Sequence, residues 1–182
     1  MNQCGYPETS PGGENRAPAR KESTPERLGQ GMFRGTITAK VDDKGRLKLP
    51  ADFKQLLDAQ RVTQFYITST DGNCAEIWPL AEWEKIEAQL AEFSMMDDAV
   101  AKFLKLTSYY GQQVELDSQG RVLMPQILRG TAKLDSEVAV MGKINHLEVH
   151  NLTLLEDSLP ASALTPDDRK TVMARLSRKS EA

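Results

Sequence analysis

The sequence predicts an α+β protein: one β-rich body with pseudo-twofold symmetry, built from a duplicated unit, with connecting helices packed outside it. The first observation behind this is internal repetition. The stretch from Gly35 to Pro50 lies over Tyr110 to Pro125, so that Asp42, Gly45, Arg46 and Pro50 meet Asp117, Gly120, Arg121 and Pro125, all 75 residues apart. Further on, Phe65–Thr68 and Glu76–Trp78 meet Glu137–Val140 and Glu148–His150 at a separation of 72. The second observation is short apolar–polar alternation in each copy, the period of a half-buried strand. The third is that neither copy has enough strand to make a stable sheet alone, so the two must interleave.

The elements follow in chain order. Residues 1–31 hold nine of the chain's 12 Gly and 9 Pro residues, with Met1, Tyr6 and Leu28 as their only large apolar or aromatic side chains. Such a segment cannot bury enough surface to offset the entropy of ordering it. We expect a disordered extension, or a translation start at Met32, where apolar alternation begins. The first half-domain is 32–79. A strand, Thr36–Val41, runs into Asp42-x-x-Gly45, the spacing of a type I turn in which Asp bonds the turn's N–H groups and Gly accepts positive φ. A short strand (Arg46–Leu49) follows, then a helix (Ala51–Leu57) with Pro50 in its first turn. The hairpin Gln64–Thr70 with Ala75–Trp78 closes the unit around Asp71-Gly72.

The second half-domain, 110–155, repeats this order: strand Gln113–Leu116, turn Asp117-x-x-Gly120, strand Arg121–Met124, helix Gln126–Ala132 after Pro125, and a hairpin of Glu137–Met141 with Leu147–His150. Between the copies, 80–109 read as two helices. Leu80, Trp83, Ile86, Leu90 and Phe93 recur at helical spacing, as do Val100, Phe103, Leu104 and Thr107, and these are expected to be core. Ser94–Asp98 separates the two, with Asp97 in the first turn of the second helix. Residues 156–182 form a polar tail, in which Thr165-Pro166-Asp167-Asp168 marks a helix start. That helix, over 166–178, sets Val172, Met173 and Leu176 on one side, either docked or free.

Composition narrows the function. There are 23 Lys plus Arg against 26 Asp plus Glu, a net charge of -3, which excludes a uniformly basic histone-like protein. No uncharged apolar run approaches the roughly 18 residues of a membrane span. No apolar secretory core follows the N-terminus, and a reducing cytoplasm is the expected home. The charge is uneven, however. Residues 32–60 carry six basic and four acidic side chains, whereas 61–182 carry 13 basic and 18 acidic. If Leu47 and Leu49 face the core, Arg46 and Lys48 must face outward, with Lys44 at the turn tip. This is the pattern of a strand-and-loop edge presented to a nucleic-acid groove. The second copy has Glu115, Gln119 and Leu123 where the first has Lys40, Lys44 and Lys48. Arg121 alone keeps its charge, to pair with a carboxylate such as Asp117 or to meet a neighbouring subunit. In the plainer alternative, both Asp/Arg pairs only brace their turns.

Met32-Phe-Arg-Gly35, Asp42-x-Lys-Gly-Arg46-Leu, Trp78-Pro-Leu-x-Glu-Trp83 and Asp117-x-x-Gly-Arg121-Val together resemble the MraZ family of bacterial transcriptional regulators. The resemblance covers roughly 32–155; one motif alone would suggest only the wider AbrB-like swapped-hairpin superfamily. It implies two AbrB-type half-domains per chain and assembly into rings of several subunits. It also implies binding to short G-rich direct repeats upstream of the division and cell-wall gene cluster, with repression at the nucleoid. The DNA contacts implied by motif position are Arg34, Lys44 and Arg46; Lys48 joins them by strand alternation. Asp42, Gly45, Asp117, Gly120 and Arg121 are assigned to turn structure or subunit contact. The family normally begins at the Met-Phe-Arg-Gly box, so the 31 residues before Met32 are a departure from it.

Catalysis has no support. His146 and His150 lie in His-Leu-Glu-Val-His, which lacks the order of a zinc protease. They share a strand face with Glu148, and a solvated strand is preferred to a metal site there. Cys74 reads as buried filler, and two cysteines make no disulfide framework. Gly29-x-Gly31-x-x-x-Gly35 has the wrong spacing for a nucleotide loop. No metal, cofactor or small-molecule substrate is expected. The remaining rival is an oligomeric adaptor of the same fold that does not bind DNA.

Overall fold

The computed structural model describes residues 32–93 and 97–179. The disorder expected for 1–31, and the middle of the Ser94–Asp98 link, lie outside the described residues. The order is β1 (Thr36–Lys40), β2 (Arg46–Lys48), α1 (Ala51–Ala59), β3 (Gln64–Thr68), β4 (Ala75–Pro79), α2 (Leu80–Leu90) and α3 (Asp98–Tyr110). Then come β5 (Gln112–Glu115), β6 (Arg121–Leu123), α4 (Gln126–Thr131), β7 (Glu137–Lys143), β8 (His146–Asn151), α5 (Leu152–Ser158) and α6 (Pro166–Lys179).

Six strands make one antiparallel sheet in the order β1-β7-β8-β4-β3-β5, and β2 pairs with β6 in a second, two-stranded ribbon. Exchanging each strand for its repeat counterpart reverses the six-strand order and leaves it unchanged. The pseudo-twofold axis therefore passes between β4 and β8, where Glu76 faces Glu148, and between β2 and β6, where Leu47 faces Val122. Each copy completes the other: β1 pairs with β7, and β5 with β3. Both sheet edges, β1 and β5, carry Lys, Thr, Gln and Glu, which discourages edge-to-edge pairing.

Interleaving produces a single core. Leu47, Leu57, Phe65 and Ile67 from the first copy pack with Val122, Leu128, Leu134 and Val138 from the second, all at 0–1% exposure. The α1 and α4 C-termini end alike, with Arg61 and Lys133 in the left-handed region and the next N–H bonding back to Leu57 O and Arg129 O.

Several expectations are corrected. Pro50 and Pro125 sit at the N-cap positions, in extended backbone before the first turn, not within it. Asp97 is likewise the N-cap of α3, its side chain accepting from the Ala99 and Val100 N–H groups. Of the apolar stripes on α2 and α3, only Trp83 and Thr107 are buried. Ile86, Leu90, Val100, Phe103 and Leu104 are half-buried, and Phe93 is 57% exposed. These helices lie against the outside of the sheet, so only one flank of each is covered. The Thr165 hydroxyl accepts from Asp168 N–H while Asp168 accepts from Thr165, a reciprocal cap that starts α6. Val172, Met173 and Leu176 on that helix are 49–61% exposed, undocked on the body.

Candidate nucleic-acid interface

The two Asp-x-x-Gly segments fold identically. Gly45 N–H donates to Asp42 O at 2.8 Å, and Asp42 N–H to Arg46 O at 2.9 Å. The Asp42 carboxylate accepts from the N–H groups of Lys44 and Arg46, at 3.0 and 2.9 Å. Asp117 repeats each contact with Gly120, Gln119 and Arg121 at 2.8–2.9 Å. Gly45 and Gly120 take φ of +75° and +73°, the left-handed residue that closes a type I turn into a bulged hairpin.

Each carboxylate also holds its arginine. Arg46 Nε and Nη2 lie 2.8 and 2.7 Å from Asp42 Oδ2, and Arg121 Nε lies 2.7 Å from Asp117 Oδ2. The side-chain bond from Arg46, then its backbone N–H, pulls the Asp42 carboxyl down to about 2. Desolvation opposes the same shift at Asp117, but the bonds from Arg121 outweigh it and the carboxyl is lowered. Arg46 is raised in turn by its bond to Asp42, with the Asp117 charge adding to the effect. One turn feels the other.

The ribbon explains why. In β2–β6, Arg46 faces Leu123 and Lys48 faces Arg121 across the ladder, while Leu47 and Val122 point inward at 0% exposure. The outer face of a strip about 10 Å long thus carries Arg46, Lys48, Arg121 and the 47%-exposed Leu123. Backbone bonds lock the turns across the copies: Met124 N–H donates to Gly45 O and Leu49 N–H to Gly120 O. The sequence concentrates the positive charge on the first turn, but in three dimensions the second copy adds Arg121 to the same face.

Two further cations were not picked out from the sequence. Arg129 on α4 lies against Gly45, with Nε buried and without a hydrogen-bond partner among the described residues. Lys54 on α1 lies against Gly120 and pairs with Asp58 at 2.5 Å. A signal was available, since Lys54 and Arg129 are themselves 75 apart and both basic.

Arg34 lies elsewhere. It precedes β1, beside Met32 and the Gly142 backbone, at the end of that strand away from the turn, and the five residues of β1 alone span about 16 Å. The structure brings Lys44, Arg46 and Lys48 together and leaves Arg34 apart.

The histidine strand is also corrected. His146 and His150 are not solvated; their side chains are 14% and 21% exposed and flank Glu148. His146 stacks on Trp78 with ring centroids 3.8 Å apart. The His146 imidazole 3.8 Å away and the hydrogen bond from His150 at 3.0 Å hold the Glu148 carboxyl well below the usual carboxylate range. Burial, with nearby Glu148 and Asp71, pushes the Cys74 thiol up to about 12, so it is no nucleophile.

Residues 32–106 and 111–170 match the family described as "MraZ protein, putative antitoxin-like". A protein of Acidobacterium capsulatum named Transcriptional regulator MraZ is 50% identical over 141 residues, 78% of this chain and 97% of its own length. A protein of the same name from Koribacter versatilis is 44% identical over 142 residues, again 78% and 97%. One from Thiobacillus denitrificans is 35% identical over 120 residues, 66% of this chain and 81% of its own.

Proposed function

The chain belongs to the MraZ family, and from that premise we propose that it regulates transcription by reading double-stranded DNA with the β2–β6 ribbon and the first turn. It acts in the cytoplasm, at the nucleoid. The names of its relatives support a regulator of transcription and no enzyme. The observation that carries DNA contact is the outward row of Arg46, Lys48 and Arg121 beside Lys44 on one rigid strip. A two-stranded ribbon fits the major groove. Asp42 engages Nε and one proton of Nη2 on Arg46, which leaves the opposite edge of the guanidinium for guanine O6 and N7. Such a pair discriminates against the wrong base by about 1–3 kcal/mol. Lys44, Lys48 and Arg129 supply phosphate contacts, and Arg34 makes a separate contact outside the turn.

One strip per subunit grips weakly against an overall negative chain. Assembly into a ring that meets spaced G-rich direct repeats multiplies the grip through effective concentration. The target is the promoter of the division and cell-wall gene cluster that includes its own operon, and the effect is repression.

A gel shift on the gene's own upstream DNA, with native mass measured in parallel, tests the proposal. Arg46→Ala weakens binding by about 5–150-fold with the oligomer intact, and Arg129→Ala weakens binding evenly across sequences. Unchanged binding in Arg46→Ala overturns the proposal in favour of a non-DNA-binding adaptor. Loss of the oligomer in Arg46→Ala makes that residue structural.

A further inference from the structure

We propose that Cys74, Glu148 and His150 form a binding site for one divalent transition metal of the zinc class, at the junction of β4 and β8. The β4–β8 register runs through Ala75 and Val149, so the preceding Cys74 stands opposite His150, and directly paired strand residues are about 4.5–5.5 Å apart at Cβ. Glu148 shares the His150 face because side chains alternate. One sulfur, one carboxylate oxygen and one imidazole nitrogen therefore lie within 4.8 Å of one another, and His150 Nε2 is 3.0 Å from Glu148 Oε2. Tetrahedral zinc, with bonds of about 2.0–2.3 Å, holds its ligand atoms about 3.3–3.7 Å apart. A separation of 4.8 Å must shrink by about 1 Å to reach that spacing, a distance that side-chain rotation covers. Sulfur with nitrogen selects zinc-class metals over magnesium or calcium, which prefer oxygen.

The fold does not impose this trio. Under the repeat, His150 corresponds to Trp78 and Cys74 to His146, and there the two residues stack as aromatic rings. One half of a symmetric pair is closed by stacking; the other gathers three donors. His150 also lines a groove with Asn73, Asn151, Leu154, Leu155 and Ser158, from which water could supply a fourth ligand. The cation now on the carboxylate is Lys143, whose Nζ is 3.3 Å from Glu148 Oε2. Its side chain is 44% exposed and free to swing into solvent. Metal binding displaces that ammonium, leaves the neutral His150 imidazole with its one proton on the ring nitrogen turned away from the metal, and releases the Cys74 thiol proton to the buffer.

Titration of the full chain with Co²⁺, then displacement by Zn²⁺, tests the site. The expected result is one metal per chain and a thiolate-to-cobalt charge-transfer band. Cys74→Ser abolishes the band and weakens binding by more than about tenfold, the loss that even an outer-sphere partner can cause. Cys4 cannot produce that outcome. Lys143→Gln, which removes the competing cation, tightens binding. Absence of the band, or full affinity in Cys74→Ser, overturns the proposal; unchanged affinity in Lys143→Gln does so as well. DNA binding is a separate readout, so either reading can fail alone.

Discussion

Replacing Gly45 with Ala strikes the turn that presents Lys44 and Arg46. Gly45 has φ +75°, and a Cβ in that region costs about 1–2 kcal/mol. The added methyl would also lie 2.5, 2.6 and 2.8 Å from Arg129 Cζ, Nε and Nη1. The guanidinium must therefore move. Its Nε is buried without a partner among the described residues, so moving outward restores its hydration, worth about 1–3 kcal/mol, and offsets the packing it loses. The net cost stays near the backbone value. Gly120→Ala is the matched control: φ is +73°, and the methyl meets only Lys54 Cδ and Cε at 2.9 Å, a flexible stem. Both variants should lose about 1–2 kcal/mol, or about 2–8 °C in Tm for a domain of this size. Urea unfolding followed by tryptophan fluorescence measures the loss, and promoter binding is measured beside it. Only Gly45→Ala, which displaces Arg129 and the Lys44 tip, should bind DNA more weakly at full occupancy of the fold. Unchanged stability in either variant refutes the turn reasoning. A Gly45→Ala loss well beyond about 4 kcal/mol shows that Arg129 cannot move, and weaker binding by Gly120→Ala than by Gly45→Ala refutes the assignment of the turns.

Three other outcomes follow from the same geometry. Leu47→Ala empties a fully buried site opposite Val122 and should cost about 2–5 kcal/mol by urea unfolding; a double-mutant cycle with Val122→Ala should show non-additivity, and strict additivity contradicts direct packing across the axis. The Asp42 carboxyl, held at about 2 against an ordinary 3.8, should titrate there by carbon NMR. Its folded value is the depressed one, so its contribution to stability is present above about pH 4 and lost as pH falls through about 2; Arg46→Ala should raise the midpoint, and a wild-type midpoint at 3.8 counts against the ion pair. Ile144 is β-branched, 65% exposed and at φ +68°, so Ile144→Asn should stabilise the fold by about 0.5–1 kcal/mol in thermal unfolding; a loss would mean that its packing beside Phe33 and Pro79 outweighs the backbone strain.

What the sequence alone determined is local. Asp42-x-x-Gly45 specifies its turn within five residues, because the carboxylate bonds N–H groups two and four positions on and only Gly takes the closing φ cheaply. Alternation likewise set Leu47 inward and Lys48 outward, and the spacing of the copies set the twofold symmetry. The helix stripes misled because periodicity gives a face but not how much of it is covered, which is why Phe93 is exposed and Trp83 is not. Only the tertiary structure decided that Arg121 of the second copy shares a ribbon face with Arg46 and Lys48, that Arg129 stands at the first copy's turn while Arg34 does not, and that Cys74 faces His150. Those proximities arise from pairing between strands some 75 residues apart, where the interleaving of two copies, and no local preference of the chain, chooses the neighbour.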